Sequence, residues 1–347
     1  MEPSGSQRNL PAEDGHLELP LLGLSMLGEN PHNFLKLFYE PSTQQIQAKS
    51  LLHLHVLRVE SGDFATKPLM TALLNNSLTY VLSRRNIQRM LSEPGRTPEF
   101  MRRVQSQFKT PDRNAGEGGE LLLYSFLESH LQAPKILSKM ELKTSSEHYV
   151  HGSDGVHLLK ESPGKYQLIF GESKMYSDTK GQVGSSINRG IKAAFHSIER
   201  AVDEGLNLDT WLVDSEMLKE VDDEETVQAL SEILLPTASG TPNVRKNNAF
   251  GIFVGFELDV TDYPFEAHED SEIEEHLRSL ANRAINSQIS TIEEEVTSRG
   301  LGGYHFHIYV VPFLKRKFRG KIRGIENIRM EIAAEVSGKQ PKDLDDE

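Results

Sequence analysis

Apolar residues recur along this chain at two spacings, and the alternation between them sketches the fold. Leu69, Leu73, Leu74 and Leu78 fall at helical spacing and predict a helix over Pro68 to Leu82, with a second from Ser83 to Ser92. Leu121, Phe126, Leu127 and Leu131 predict a helix from Glu120 to Leu131, ended by Pro134. Ile187, Ile191, Ala194, Phe195, Ile198 and Val202 form one stripe, a helix of about five turns whose outer side carries Arg189, Lys192, His196 and Arg200. A long amphipathic helix over Ser271 to Arg299 stops at Gly300, Gly302 and Gly303, and a short one spans Glu326 to Val336. Strand patterns lie at Phe34 to Tyr39, Leu51 to Arg58, Lys135 to Leu142 and Tyr304 to Phe313. The near-continuous apolar run Ala249 to Leu258 reads as a buried central strand. Leu206 to Gln228 is acidic and partly helical, and Leu235 to Pro242 is a loop. Pro94 to Pro98 breaks the pattern and marks a boundary between an N-terminal α/β region, 1–95, and a second domain, 96–347, with an acidic tail. The expected architecture is α/β, with a mixed central sheet flanked by helices.

One hairpin stands out. Ser153 to Lys174 places two strand patterns around the turn Glu161-Ser162-Pro163-Gly164. With the turn centred on Pro163, Leu158 faces Leu168, Val156 faces Phe170 and Asp154 faces Glu172. Lys174 then shares the face of Glu172. Two carboxylates opposed across a ladder repel. A divalent metal would offset that repulsion, and hard oxygen ligands suit Mg²⁺ or Mn²⁺. The same spacing admits a plainer reading, a hairpin that frays at Asp154 and leaves both acids in water.

Composition narrows the function classes. The 347 residues hold no Cys, so a disulfide framework, a Cys zinc site and thiol catalysis are excluded. The first residues, 1–17, are polar and loose, without the basic and apolar regions of a signal peptide, and no apolar run reaches membrane-spanning length. These features fit a cytoplasmic protein. The formal net charge of −13 argues against binding nucleic acid over the whole surface, but not against a local basic groove.

Other features are less specific. Gly116-Glu117-Gly118-Gly119-Glu120 opens the third helix; its acids suit the helix dipole, and its glycines suggest close backbone packing beside a site. Glu120 is preferred to Glu117 as a third acid because it shares a face with Tyr124. Lys180, Gln182, Arg189 and Lys192 are candidate contacts to a DNA backbone, or simply solvated side chains. His53 and His55, and His305 and His307, could each offer two zinc ligands, yet no third appears at a telling spacing, and core histidines are the simpler account. Lys315 to Arg323 carries six basic residues in nine, a phosphate or acidic-partner patch or an exposed turn. The glycine clusters at 116–119 and 300–303 do not continue as nucleotide-binding loops.

An acid on a helix, Asp154 on one strand and Glu172-Ser173-Lys174 on the next resemble the PD-(D/E)xK nuclease superfamily. Glu141-Leu142-Lys143 repeats the short motif without an acid placed before it. More closely, Gly116 to Leu121, Gly152 to Leu158, Phe170 to Lys174 and the helix with Arg189 and Ala193-Ala194-Phe195 resemble the HamA family, the nuclease-type subunit of Hachiman anti-phage systems. The resemblance is strongest over Ala115 to Arg200. Ser153 stands where the superfamily usually has Pro.

The resemblance implies a PD-(D/E)xK, restriction-endonuclease-like core and a metal-dependent DNA endonuclease that works beside a superfamily 2 helicase, HamB. Asp154, Glu172, the carbonyl of Ser173 and Glu120 would hold Mg²⁺ or Mn²⁺, and Lys174 would orient the attacking water or stabilise charge on phosphate. A non-catalytic adaptor that regulates the helicase and an RNA-cleaving nuclease remain alternative readings.

Overall fold

In the computed structural model the described residues are 23–112, 116–138, 140, 153–162, 165–206, 230, 245–318 and 320–340. Three long parallel strands form the centre: β7 (Lys165–Tyr176), β8 (Arg245–Asp259) and β9 (His305–Phe318). On the β9 side, β2 (Ser50–Leu54) joins in parallel and β1 (Ser42–Gln47) closes the edge antiparallel. On the β7 side, β6 (Gly155–Ser162) and β5 (Lys135–Ser138) follow antiparallel, giving the order β1-β2-β9-β8-β7-β6-β5. The chain is therefore α/β with a mixed sheet flanked by helices, as its pattern predicts. Strands drawn from both 1–95 and 96–347 pair in this one sheet, while β3 (Val59–Glu60) and β4 (Asp63–Phe64) form a separate antiparallel pair.

Two helices cover the sheet's two faces. Helix α5 (Glu117–Ser129) lies on the face of the odd-numbered residues of β7 and β8. All of its residues are buried, because α1 (Asn30–Leu35), α2 (Thr66–Val81) and the late helix α9 (Ile325–Ser337) wrap its outer side. A helix enclosed all round needs no polar face, which explains why its sequence shows only a weak stripe. Helix α6 (Ser185–Asp203) covers the opposite face, where Phe195, Phe306 and Phe250 pack in series at centroid distances of 5.3 and 5.7 Å. At Gly190 a Cβ would stand 2.8 Å from Val254 Cγ1, so glycine lets α6 lie against β8.

Several predicted elements differ. Phe34 to Tyr39 is not a strand: α1 ends at Leu35, and the rings of Phe34 and Phe38, four residues apart, both pack against Phe126 of α5, edge-on and tilted, at 5.0 and 5.2 Å. Pro31 in its first turn favours the helix start. The expected single helix over Ser271 to Arg299 is two, α7 (Asp270–Asn286) and α8 (Ile289–Ser298), parted at Ser287 and Gln288. The polar strand β1 carries no apolar alternation and escapes the pattern altogether. Helices α3 (Arg84–Ser92) and α4 (Thr97–Gln107) flank the predicted break; Ser83 caps α3 by accepting from Asn86 N–H. Lys135 to Leu142 is a strand only to Ser138, and residues 141–152 lie outside the described set, as do most of Leu206 to Gln228 and the loop Leu235 to Pro242. The basic run continues β9 and turns back as β10 (Lys321–Arg323).

Candidate active site

The hairpin has the predicted register. Val156 pairs with Phe170 and Leu158 with Leu168, although Pro163 and Gly164 themselves lie outside the described residues. Beyond Val156 the ladder slips. Asp154 N–H donates to the Gly171 carbonyl at 2.8 Å, and Gly171 N–H is taken by Ser153 Oγ at 3.2 Å. A slip of one residue moves a side chain to the other face. The expectation that Asp154 sits squarely opposite Glu172 on one face is thus corrected. Its carboxylate accepts from the backbone N–H and the hydroxyl of Ser173, both at 2.8 Å, at the strand edge.

Glu172 and Lys174 point to the α6 face. A Cβ at Gly190 of α6 would lie 4.0 Å from Lys174 Cβ. Lys174 Nζ pairs with Glu172 Oε1 at 2.5 Å. Burial and the nearby Asp154 charge push the Glu172 carboxyl up to about 7, outweighing Lys174 and the Ser197 hydroxyl. Burial opposes the charge of Lys174, but the two carboxylates hold its ammonium above the ordinary range.

Glu120 belongs to the α5 face. Gly119 makes that placement possible: a Cβ there would meet Ser173 Oγ at 3.3 Å and Met175 Cγ at 3.4 Å. Glu120 Oε2 accepts from the phenol of Tyr80, on α2, at 3.2 Å. Tyr124, the expected neighbour, instead donates to Thr79 Oγ1. Glu117 Oε2 accepts Lys109 N–H at 2.9 Å, tying down the chain after α4. Glu120, Asp154, Tyr80, Lys135 and His157 line one small cavity of about 10 Å³, room for a single water. Asp154 therefore stands between two groups: Glu172 and Lys174 on one face of β7, Glu120 on the other.

A helix acid, a hairpin aspartate and Glu-Ser-Lys arranged around one strand edge accompany a match of the HamA family model to residues 32–322. The chain belongs to the HamA family. It is thereby placed in Hachiman anti-phage defence. No curated protein shows significant similarity to it.

Among the described residues, no three His, Asp or Glu side chains gather as a metal site. The donor chemistry at the strand edge nonetheless suits a hard cation. Asp154 and Glu172 feel each other strongly enough to raise the second, and the Ser173 carbonyl faces the same edge as the N–H bonded to Asp154. Glu120, held by Tyr80, shares a cavity wall with Asp154 but lies on the opposite face of β7 from Glu172.

Lys180, Gln182, Arg189 and Lys192 are exposed, on the loop after β7 and the first turns of α6. Arg189 is engaged there: it donates to Ser177 O and Thr179 Oγ1 and lies 5.1 Å over the Tyr176 ring. The basic run is largely compensated, with Lys315, Arg316, Lys317 and Arg323 facing Asp259, Asp63, Asp262 and Glu331. His53 and His55 pack as aromatics with His130, at centroid distances of 4.7 and 5.2 Å, and burial pushes His53 down to about 4. Among the described residues no helix is long and apolar enough to cross a membrane.

Sequence reasoning missed Tyr80, Lys135 and Ser197. Tyr80 continues the buried stripe Leu69, Leu73 at a spacing of seven, and a phenol on that stripe was the available signal. Lys135 opens a strand directly after Pro134, on the opposite side from Ile136; a charge on an otherwise apolar strand was the sign there.

Proposed function

We propose that the chain is a metal-dependent DNA endonuclease of Hachiman defence, controlled by a partner helicase. The observation that supports this reading best is Glu172: buried to 6% exposure, pushed up to about 7 by burial and Asp154, and paired with Lys174. A structural acid has no need of a second acid beside it. Asp154, Glu172 and the Ser173 carbonyl would hold Mg²⁺ or Mn²⁺, which when bound supplies Lewis acidity and an acidified water.

The remaining chemistry belongs to the chain. Ser173 fixes the Asp154 carboxylate through two hydrogen bonds, so its orientation costs nothing at the moment of reaction. Lys174 keeps its proton and offers its ammonium to the charge that builds on a phosphate oxygen. Lys180, Gln182 and Lys192, exposed beside the end of β7, track the phosphate backbone, while Arg189 braces their loop. A net charge of −13 keeps intrinsic DNA affinity low, which suits a nuclease supplied with substrate by a helicase.

The test is incubation with supercoiled plasmid, linear DNA and RNA, with and without Mg²⁺, beside Glu172→Gln and Lys174→Met, and with the helicase present. DNA nicking that needs Mg²⁺ and vanishes in both variants supports the proposal. Full cleavage by either variant, or cleavage of RNA alone, overturns it. The separation of Glu120 from Glu172 favours one other reading, a nuclease-like adaptor. Tight helicase binding without cleavage of any substrate would select it.

A further inference from the structure

The cavity on the α5 face holds a charge that the proposed reaction does not use. Lys135 is 1% exposed, and its Nζ donates to the carbonyls of Tyr80 and Leu82 at 3.3 and 3.2 Å. Those carbonyls end α2, where the helix dipole favours a cation. The same side chain lines the cavity together with Glu120 and Asp154. An ammonium taken this far out of water needs nearby negative charge. Glu120 and Asp154 supply it from the cavity wall, and Glu128 lies behind, accepting Lys135 N–H at 2.6 Å.

We propose that Lys135 takes the place of a second metal ion, so that the site binds one divalent cation and Glu120 is a positioning residue rather than a ligand. This rests on the reading of Asp154 and Glu172 as a metal pair. Three observations carry it. Glu120 Oε2 accepts from the Tyr80 phenol, which holds the carboxylate on the α5 face. The space between Glu120 and Asp154 has room for about one water, so an ion there would have to draw its ligands from the cavity wall itself. A divalent ion placed there would stand beside a buried ammonium, and like charges repel strongly where water is excluded. Two carboxylates facing one fixed cation leave a single negative charge, too little to hold a second divalent ion. Glu120 instead acts through its neighbours: it offsets Lys135 and leaves Asp154 available to the α6 face. His157 on the same wall is pushed down to about 4, by burial first, with the Lys135 charge adding to it.

The experiment counts bound Mn²⁺ on the full chain by electron paramagnetic resonance at pH 8, with no substrate present. Wild type should bind one ion. Glu120→Gln should still bind one, with a weaker Kd but a smaller loss than in Glu172→Gln, which should weaken binding more than about tenfold. Lys135→Met, if thermal melts show it folded, should take up a second, weaker ion at Glu120 and Asp154. Two ions on wild type, a loss in Glu120→Gln equal to that in Glu172→Gln, or a folded Lys135→Met that still binds one ion would each overturn the proposal. No Mn²⁺ on wild type would instead remove the metal reading on which it rests. If Lys135→Met does not fold, the comparison of Glu120→Gln with Glu172→Gln decides alone.

Discussion

The Asp154 carboxylate accepts two hydrogen bonds from one residue, Ser173, through the backbone N–H and the hydroxyl, each at 2.8 Å. Ser173 lies between Glu172 and Lys174, so the middle of the Glu-Ser-Lys motif aligns the acid on the neighbouring strand. Ser173→Ala keeps the N–H bond and removes the other. Stability should fall by about 1 kcal/mol, the usual net worth of such a bond. Cleavage should fall about three- to tenfold, with the Mg²⁺ requirement shifted to higher concentration. Urea melts and a Mg²⁺ titration of nicking check this; unchanged Mg²⁺ dependence would show that the hydroxyl does not orient Asp154.

Glu172 should make metal binding depend on pH. Its folded value, about 7, is above the ordinary 4.5, so the proton favours the folded state. That contribution is complete below pH 4.5 and is lost as pH rises through about 7. A cation competes with the same proton. The Mg²⁺ concentration needed for half-maximal thermal stabilisation should fall by up to about tenfold per pH unit between pH 5 and 7, then level off. Glu172→Gln should abolish the slope. A slope that persists in the variant would assign the titration to another group.

These two residues also show how far the sequence reaches. Alternation and turn chemistry alone give the hairpin register, from Val156 opposite Phe170 onward, because both are local rules. They do not give the slip at Ser153 and Asp154, which depends on a side chain replacing a backbone partner in the ladder. The same divide runs through the rest of the fold. The buried run of β8 is legible because burial on both faces leaves one kind of residue. The polar edge strand β1 is not, since it pairs through backbone alone. Glu120 is legible as an acid in the first turn of a helix, but its partner is not: Tyr80 is 40 residues away and arrives only when α2 packs on α5.

Two glycines should respond oppositely to alanine. Gly119→Ala gains helix propensity, about 0.8–1 kcal/mol, against a tight but yielding contact at 3.3 Å with the Ser173 hydroxyl. Its stability should stay within about 1 kcal/mol of wild type, while cleavage falls because Ser173 and with it Asp154 are displaced. Gly190→Ala would press on Val254 Cγ1 at 2.8 Å between α6 and β8, and should cost about 1–3 kcal/mol. Paired denaturation and nicking assays separate the two; a Gly119→Ala that cleaves as well as wild type would refute the close approach described for α5.

Glu257 should govern the loop that carries Lys180 and Gln182. Its buried carboxylate accepts Asp178 N–H at 2.7 Å and Ile325 N–H at 3.0 Å, joining the loop after β7 to the start of α9. Asp178 in turn accepts Gly184 and Ser186 N–H, each through one oxygen, and so closes the loop onto α6. Burial pushes the Glu257 carboxyl up, and the two backbone donors pull against it. Glu257→Ala strands one buried and one part-buried N–H group, which should cost about 2–4 kcal/mol at roughly 1–3 each with partial relaxation. The freed segment around Lys180 should become sensitive to trypsin in the folded protein. If the loop presents Lys180 to phosphate, DNA affinity should fall in Glu257→Ala about as far as in Lys180→Ala, and the double variant should add little. Additive losses in that cycle, measured at one salt concentration, would mean that the loop's shape and its charge act independently.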